Sequence, residues 1–211
     1  MKFRYLISLA VATALLTGCR GDLMDLTPYS SISSGNMWTS ENLADMGVTG
    51  IYNRLLADNV AYDLYKFECF GVSADCRDRD YALTIGNITT SDGLFSGYWS
   101  AHYEGISRCN DAIANLPNAP LSESKLNRLM AESKFLRAFF YYKLNMMYKG
   151  VPLYLEPTEL DDFTKRRNTE AEVWNQIITD LTDAINTADL PDKYAAGDAS
   201  YGRATKGAAY A

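Results

Sequence analysis

The stretch that decides the fold is Ala131–Tyr154, AESKFLRAFFYYKLNMMYKGVPLY. It holds seven aromatic residues and stops abruptly at Gly150-Val151-Pro152. Extended back to Glu123, it carries two apolar stripes. Leu129, Leu136, Phe140, Leu144 and Met147 form one, and Ala131, Phe135, Ala138 and Tyr142 form a second beside it. Two adjacent stripes need neighbours on two sides, so the spacing predicts a sandwiched helix over 123–148. Gly150 permits a C-terminal turn and Pro152 forbids continuation. Most of these aromatics are therefore expected in the core, and function on loops elsewhere.

Helices flank this one. Ser40 is a good N-cap for a helix over roughly 41–58, with Ala44, Val48, Ile51 and Leu55 as its stripe. A second covers roughly 97–116, with Trp99, Tyr103, Ile106, Asn110 and Ile113 on one face and Pro117 at its end. After the central helix, Thr169 and Glu172 fit a capping box ahead of Trp174, Ile177, Leu181, Ile185 and Ala188. A fifth helix begins within GRATKGAAYA, Gly202–Ala211. Helix pairs of about 34 residues with Ala and aromatics at such spacing mark tetratricopeptide-type repeats. The expected fold is all-α: a tetratricopeptide-like helical repeat, a right-handed solenoid with long irregular loops.

The N-terminus reads differently. Lys2 and Arg4 precede an apolar run from Leu6 to Leu16, the pattern of a secretory signal. The run is shorter than the roughly 20 residues a membrane span needs. It ends at Leu16-Thr17-Gly18-Cys19, which resembles a bacterial lipidation site with Cys19 as the acylated mature N-terminus. Each buried methylene of an acyl chain contributes about 0.8 kcal/mol to anchoring. Removing residues 1–18 takes away two cations and no acid, so the net charge of −6 becomes −8. An acidic body whose only cationic run is Lys165-Arg166-Arg167 argues against nucleic acid, and that run is expected to cap a loop. If Cys19 is lipidated, three cysteines remain, so at most one disulfide forms; Cys69 and Cys76 can bridge, and their spacing is not a metal pattern. A single histidine, His102, excludes a His-rich metal site. No metal and no cofactor is expected.

Between the first two helices lies a long irregular stretch, Asn59–Trp99. Loops of such length are usually functional or disordered. It mixes Asp75, Arg77, Arg79, Tyr81, Asn87, Asp92, Phe95 and Tyr98. Sugar sites need flat aromatic faces for the apolar side of a pyranose and planar polar groups for its hydroxyls. This composition supplies both, so Asp75, Arg77, Arg79, Tyr81, Phe95 and Tyr98 are the candidate ligand contacts. The plainer alternative is a structured arm with packing aromatics and solvated charges.

Five segments in order resemble the SusD/RagB outer-membrane lipoproteins: Thr17-Gly18-Cys19; the arm Asp22–Leu43; YWSAHYEGISRCNDAIANL, 98–116; the Glu-x-x-Phe-Leu-Arg-Ala helix running into Gly-Val-Pro-Leu; and RNTEAEVW with the later Gly-Arg-Ala-Thr. The likeness covers nearly all of 16–211. It implies a signal peptide at 1–18, a lipidated arm at 19–40 and a helical-repeat domain at 41–211. It also implies a lipid-anchored, surface-exposed outer-membrane protein that binds a glycan nutrient and delivers it to a TonB-dependent SusC-like transporter, without catalysis. In the family the long loop contributes to the glycan surface, and Asp75 stands where an acidic residue often follows the Ser. Such proteins are generally much longer, and this sequence stops inside a helix. It therefore reads as an N-terminal part, its C-terminal half missing. The alternatives are a helical-repeat scaffold acting only in protein–protein contact, or a binder of a non-glycan ligand such as peptide. A glycosidase needs paired carboxylates about 5 to 9.5 Å apart. Asp75, Asp78 and Asp80, or Asp161 and Asp162, only cluster in loops, and no Gly-x-Ser-x-Gly or His-Glu-x-x-His motif is present.

Overall fold

Each long helix begins where a short polar side chain can replace a missing backbone partner. The hydroxyls of Ser40, Ser122, Thr169 and Thr205 and the carboxylate of Asp92 accept from Leu43, Lys125, Glu172, Ala208 and Leu94 N–H respectively. Caps of this kind contribute about 1 kcal/mol each. The computed structural model describes residues 36–57, 81–158 and 164–211, with single positions at 60, 66, 68, 69, 71 and 74. The chain divides into two units, Met1–Asn36 and Met37–Ala211, and every element below belongs to the second. These are α1 Glu41–Arg54, α2 Tyr81–Thr84, α3 Gly93–Asn115, α4 Glu123–Tyr148, α5 Glu170–Asn186 and α6 Lys206–Tyr210. Among the described residues every regular element is helical, as the tetratricopeptide-like reading requires. The central helix has the expected bounds. α3 starts one turn earlier than expected, because Asp92 rather than a later residue caps it.

Hydrogen bonds show the helices alternating in direction. Tyr148 Oη donates to Phe95 O at 2.7 Å and Tyr98 Oη to Lys143 O at 3.3 Å, which sets the start of α3 beside the end of α4. Asn127 to Asp189 at 2.9 Å, Lys134 to Asp183 at 2.6 Å and Asn145 to Glu170 O at 3.2 Å run α5 back along α4. Arg54 meets Glu104 at 2.7 Å and Arg108 donates to Gly50 O at 3.0 Å, so α1 is antiparallel to α3. The central α4 is thus sandwiched, and Leu129, Leu136, Phe140 and Leu144 are buried.

Of the expected α3 stripe, Ile106 and Asn110 are buried, but the rest of the buried face is rotated from it. Tyr98, Ala101, His102, Gly105, Cys109 and Ala112 are buried, whereas Trp99, Tyr103 and Ile113 are only half so. Small residues allow the close approach to α4. A methyl on Gly105 would lie 2.5 Å from the Phe140 ring, whose burial leaves it no room to retreat. On α5 the buried line is Val173, Ile177, Asp180 and Ala184, with Ala188 exposed. Cys69 is disulfide-bonded to a partner outside the described residues. Cys109 is free and buried, and burial pushes its thiol far up, so it packs as a small apolar group.

His102 is fully buried between Tyr98, 4.0 Å away ring to ring, and Phe140. Its Nδ1 donates to Tyr98 O at 2.7 Å, and Nε2 has no partner among the described residues. Burial, opposed by that hydrogen bond and reinforced by Lys143, lowers its pKa to about 4. The unfolded chain takes up a proton near pH 6.5 and the folded one does not until about pH 4. Stability from this residue is therefore complete above 6.5 and falls as the pH drops toward 4, by on the order of 3 kcal/mol. Urea unfolding of wild type and His102→Leu across this range should show the wild type losing stability more steeply. Parallel profiles would remove His102 as the cause.

Candidate functional site

The site is built outward from Arg137, which is 6% exposed. Its Nε and one terminal nitrogen donate to the two Asp180 oxygens at 2.8 and 2.7 Å. The other terminal nitrogen donates to Asn110 Oδ1 at 2.9 Å and Leu155 O at 3.0 Å. Burial acts to lower the Arg137 pKa, but the Asp180 pairing outweighs it and holds the guanidinium charged. Asn110 passes the connection on, donating to Tyr154 O at 2.8 Å and Glu156 O at 3.2 Å. Tyr141 Oη donates to Tyr154 O at 2.8 Å and accepts from Tyr154 N–H at 2.7 Å. Tyr103 Oη donates to Pro152 O at 2.7 Å. Burial pushes both tyrosine hydroxyls well above their ordinary range, so they remain donors. An extended segment after α4 is thereby held through its carbonyls by side chains of α3 and α4.

The start of that segment is fixed as firmly. Lys149 and Gly150 take positive φ, 56° and 104°, and a Cβ at 150 would lie 2.5 Å from Asn168 O. Gly150 N–H donates to Asn145 Oδ1 at 2.9 Å, and Leu153 N–H to Asn168 Oδ1 at 3.1 Å. Arg167 donates to the carbonyls of Tyr148, Lys149 and Gly150. Part of the cationic run thus caps the end of α4, where a positive charge also suits the helix dipole. Glu132, the other buried charged residue of this helix, is fully enclosed. It accepts from Tyr52 Oη and from Arg203, each at 3.1 Å, while Arg203 also reaches Asp45 at 3.0 Å. Burial pushes its carboxyl upward against the pull of Arg203 and Arg128. It joins α1 to the turn before α6.

Between α3 and the pinned segment lies a half-open groove of about 350 Å³, within the roughly 300–1,000 Å³ of small-molecule sites. Trp99 and Tyr103 wall it from α3, with ring centroids 4.8 Å apart and tilted 40°. Tyr154 stands nearly perpendicular to Tyr103, 86° at 5.9 Å. Lys165 Nζ lies over the Tyr154 ring, 4.8 Å from its centroid. Ser107 and Thr158 add exposed hydroxyls. Such a lining offers aromatic faces to C–H groups and polar atoms at the rim. A second cavity, about 340 Å³ between α4, α5 and α6, is lined by Phe135, Phe139, Tyr142, Trp174 and Leu181 and is mainly apolar.

Of the residues expected at a site, Cys19, Asp75, Arg77 and Arg79 lie outside the described residues, as does the side chain of Tyr81, whose backbone opens α2. Phe95 is half-buried in the first turn of α3. Tyr98 differs from expectation: it is 4% exposed, packed on His102 and bonded to α4, so its ring serves helix packing rather than facing a ligand. The groove aromatics were missed for a physical reason. Trp99 and Tyr103 sit on an amphipathic stripe that reads as core, and Tyr154 follows a helix whose aromatics are mostly core. Among the described residues no cluster of three or more His, Cys, Asp or Glu is placed to hold a metal, and no helix is long and apolar enough to cross a membrane.

Residues 22–211 match a SusD-like family model described as "Starch-binding associating with outer membrane". SusD-like protein P38 of Formosa agariphila is 29% identical over 193 residues, 87% of this chain and 36% of that protein. A structure described as a laminarin-binding SusD-like protein superposes with a TM-score of 0.71 at 29% identity, covering 82% of this chain and 38% of that one. Surface glycan-binding protein A from Bacteroides fluxus gives 0.67 at 26% identity, covering 81% and 38%. The chain thus spans little more than a third of the length of these relatives.

Arg137→Met should leave the Asp180 carboxyl buried without its counter-charge, with Gln176 Nε2 at 3.1 Å as its remaining donor, at a cost of about 3–5 kcal/mol. The double variant Arg137→Met/Asp180→Leu should recover much of that loss. Both are read by urea unfolding, and a single-variant loss below about 1 kcal/mol would mean that water already reaches the pair.

Proposed function

We propose, from the premise that this chain belongs to the SusD-like family, that it captures a poly- or oligosaccharide at the outer-membrane surface and passes it to a TonB-dependent SusC-like transporter. The observation that carries this reading is the family match across residues 22–211. Two solved relatives are described as binding laminarin and surface glycan, which supports the same ligand class here. In this reading residues 1–18 are a signal peptide, 19–40 a lipidated arm and 41–211 the helical-repeat domain. Asp75, Arg77, Arg79, Tyr81 and Phe95 supply ligand contacts, while Tyr98 positions the start of α3. The role is binding and handover, not turnover.

Native affinity electrophoresis of the full chain, in detergent, through gels containing starch or laminarin tests the ligand class. Retardation without released sugar is the expected result. Unretarded, folded protein would instead favour a scaffold that works by protein contact alone. The anchor is tested separately by fatty-acid labelling in cells. Cys19→Ala should abolish both the label and membrane association, and a labelled Cys19→Ala chain would place the lipid elsewhere.

A further inference from the structure

The groove of Trp99, Tyr103 and Tyr154 uses none of the loop residues assigned above. We propose that it is a carbohydrate subsite of its own, taking a linear neutral oligosaccharide laid along α3 with one sugar ring in the aromatic corner. This rests on the glycan-binding reading and adds to it a place and a ligand length.

Four observations carry the inference. First, the corner has the right shape. Tyr103 and Tyr154 meet at 86° with centroids 5.9 Å apart, and Trp99 continues the Tyr103 wall at 4.8 Å. One plane can take the C–H face of a pyranose while the other meets its edge, since the face of an aromatic ring carries partial negative charge that attracts polarised C–H groups. Second, the groove has length. Its lining on α3 runs from Trp99 to Asn110, which at 1.5 Å per residue is about 16 Å, longer than one sugar ring. Third, the polar groups are at the rim. Ser107 and Thr158 are exposed hydroxyls able to exchange hydrogen bonds with sugar hydroxyls; the described lining contains no carboxylate, and its one charged side chain, Lys165, lies over the Tyr154 ring. The cavity between α4, α5 and α6 is of similar volume, but its lining is mainly alanine and large apolar side chains. Fourth, the platform is already ordered. The carbonyls of Pro152 and Tyr154 are already bound by Tyr103, Asn110 and Tyr141, so a ligand need not fix the wall it binds.

The test compares the wild-type full chain with two groove variants by calorimetric titration. The probes are maltohexaose, laminarihexaose and glucose, with starch and laminarin retention measured in parallel. Ser107→Trp fills the groove from an exposed helix position. Tyr154→Ala removes one wall while keeping the backbone hydrogen bonds. Ile178→Ala, on the exposed face of α5, is the control. Melting curves confirm that each variant is folded. The expected result is binding of a hexasaccharide but not of glucose, weakened about tenfold or more by either groove variant and unchanged in the control. Wild-type hexasaccharide affinity in folded Ser107→Trp and Tyr154→Ala overturns the subsite and leaves the glycan-binding reading standing on the loop. Glucose binding as tight as hexasaccharide overturns the extended ligand. If the wild type neither binds the oligosaccharides nor is retained by the polysaccharides, both readings fall, and an aromatic corner of this kind then belongs to a protein contact.

Discussion

One ion pair organises the described structure: the guanidinium of Arg137 set flat against the carboxylate of Asp180. Neither side chain reaches water to any extent, so each relies on the other to offset its charge. A buried pair of this kind is not a large net source of stability compared with apolar packing. What it does is make alternative arrangements costly, because sliding α5 along α4 or turning either helix would strand a charge. The donors left over from the pair then fix Asn110 and Leu155 O, and through Asn110 the segment beyond α4. A helix–helix register and a loop position therefore share one cause.

The same pair explains where the sequence could be read and where it could not. α4 was legible because two apolar stripes, a Ser cap and a Gly-Val-Pro stop all point to one helix. α5 announced itself through the Thr169–Glu172 capping box. The faces of α3 and α5 were misjudged by about one position, and in both cases the misleading residues were large and apolar. On α5 the helix turns so that Asp180 faces Arg137, a polar requirement that a count of apolar positions does not register. On α3 the contact is marked by what is small, Ala101, Gly105, Cys109 and Ala112, which reads as neutral in a hydrophobicity pattern.

The groove shows a further limit. Tyr154 is far in sequence from Trp99 and Tyr103, and each of the three belongs to a stretch whose other aromatics are core. Their convergence depends on Gly150 and Lys149 turning the chain back across α3, and on four side chains, Tyr103, Asn110, Arg137 and Tyr141, that donate to its carbonyls and hold it there. Nothing local to Tyr154 signals that. Tyr98 is the converse case. It stands beside Trp99 in sequence and looks equally suited to a ligand, but the helix points it inward onto His102.

The way Pro152–Glu156 is held has a consequence for variation. A strand in a sheet is fixed by partners along its whole length, and its side chains must also satisfy the neighbouring strands. Here the grip falls on main-chain atoms, and it comes from side chains of α3 and α4 and from Asn168 rather than from the segment itself. Backbone position and side-chain identity are thereby uncoupled. Positions such as 154 can exchange one residue for another while the track beneath stays in place, so the surface presented to the outside can diversify by single steps without refolding the support.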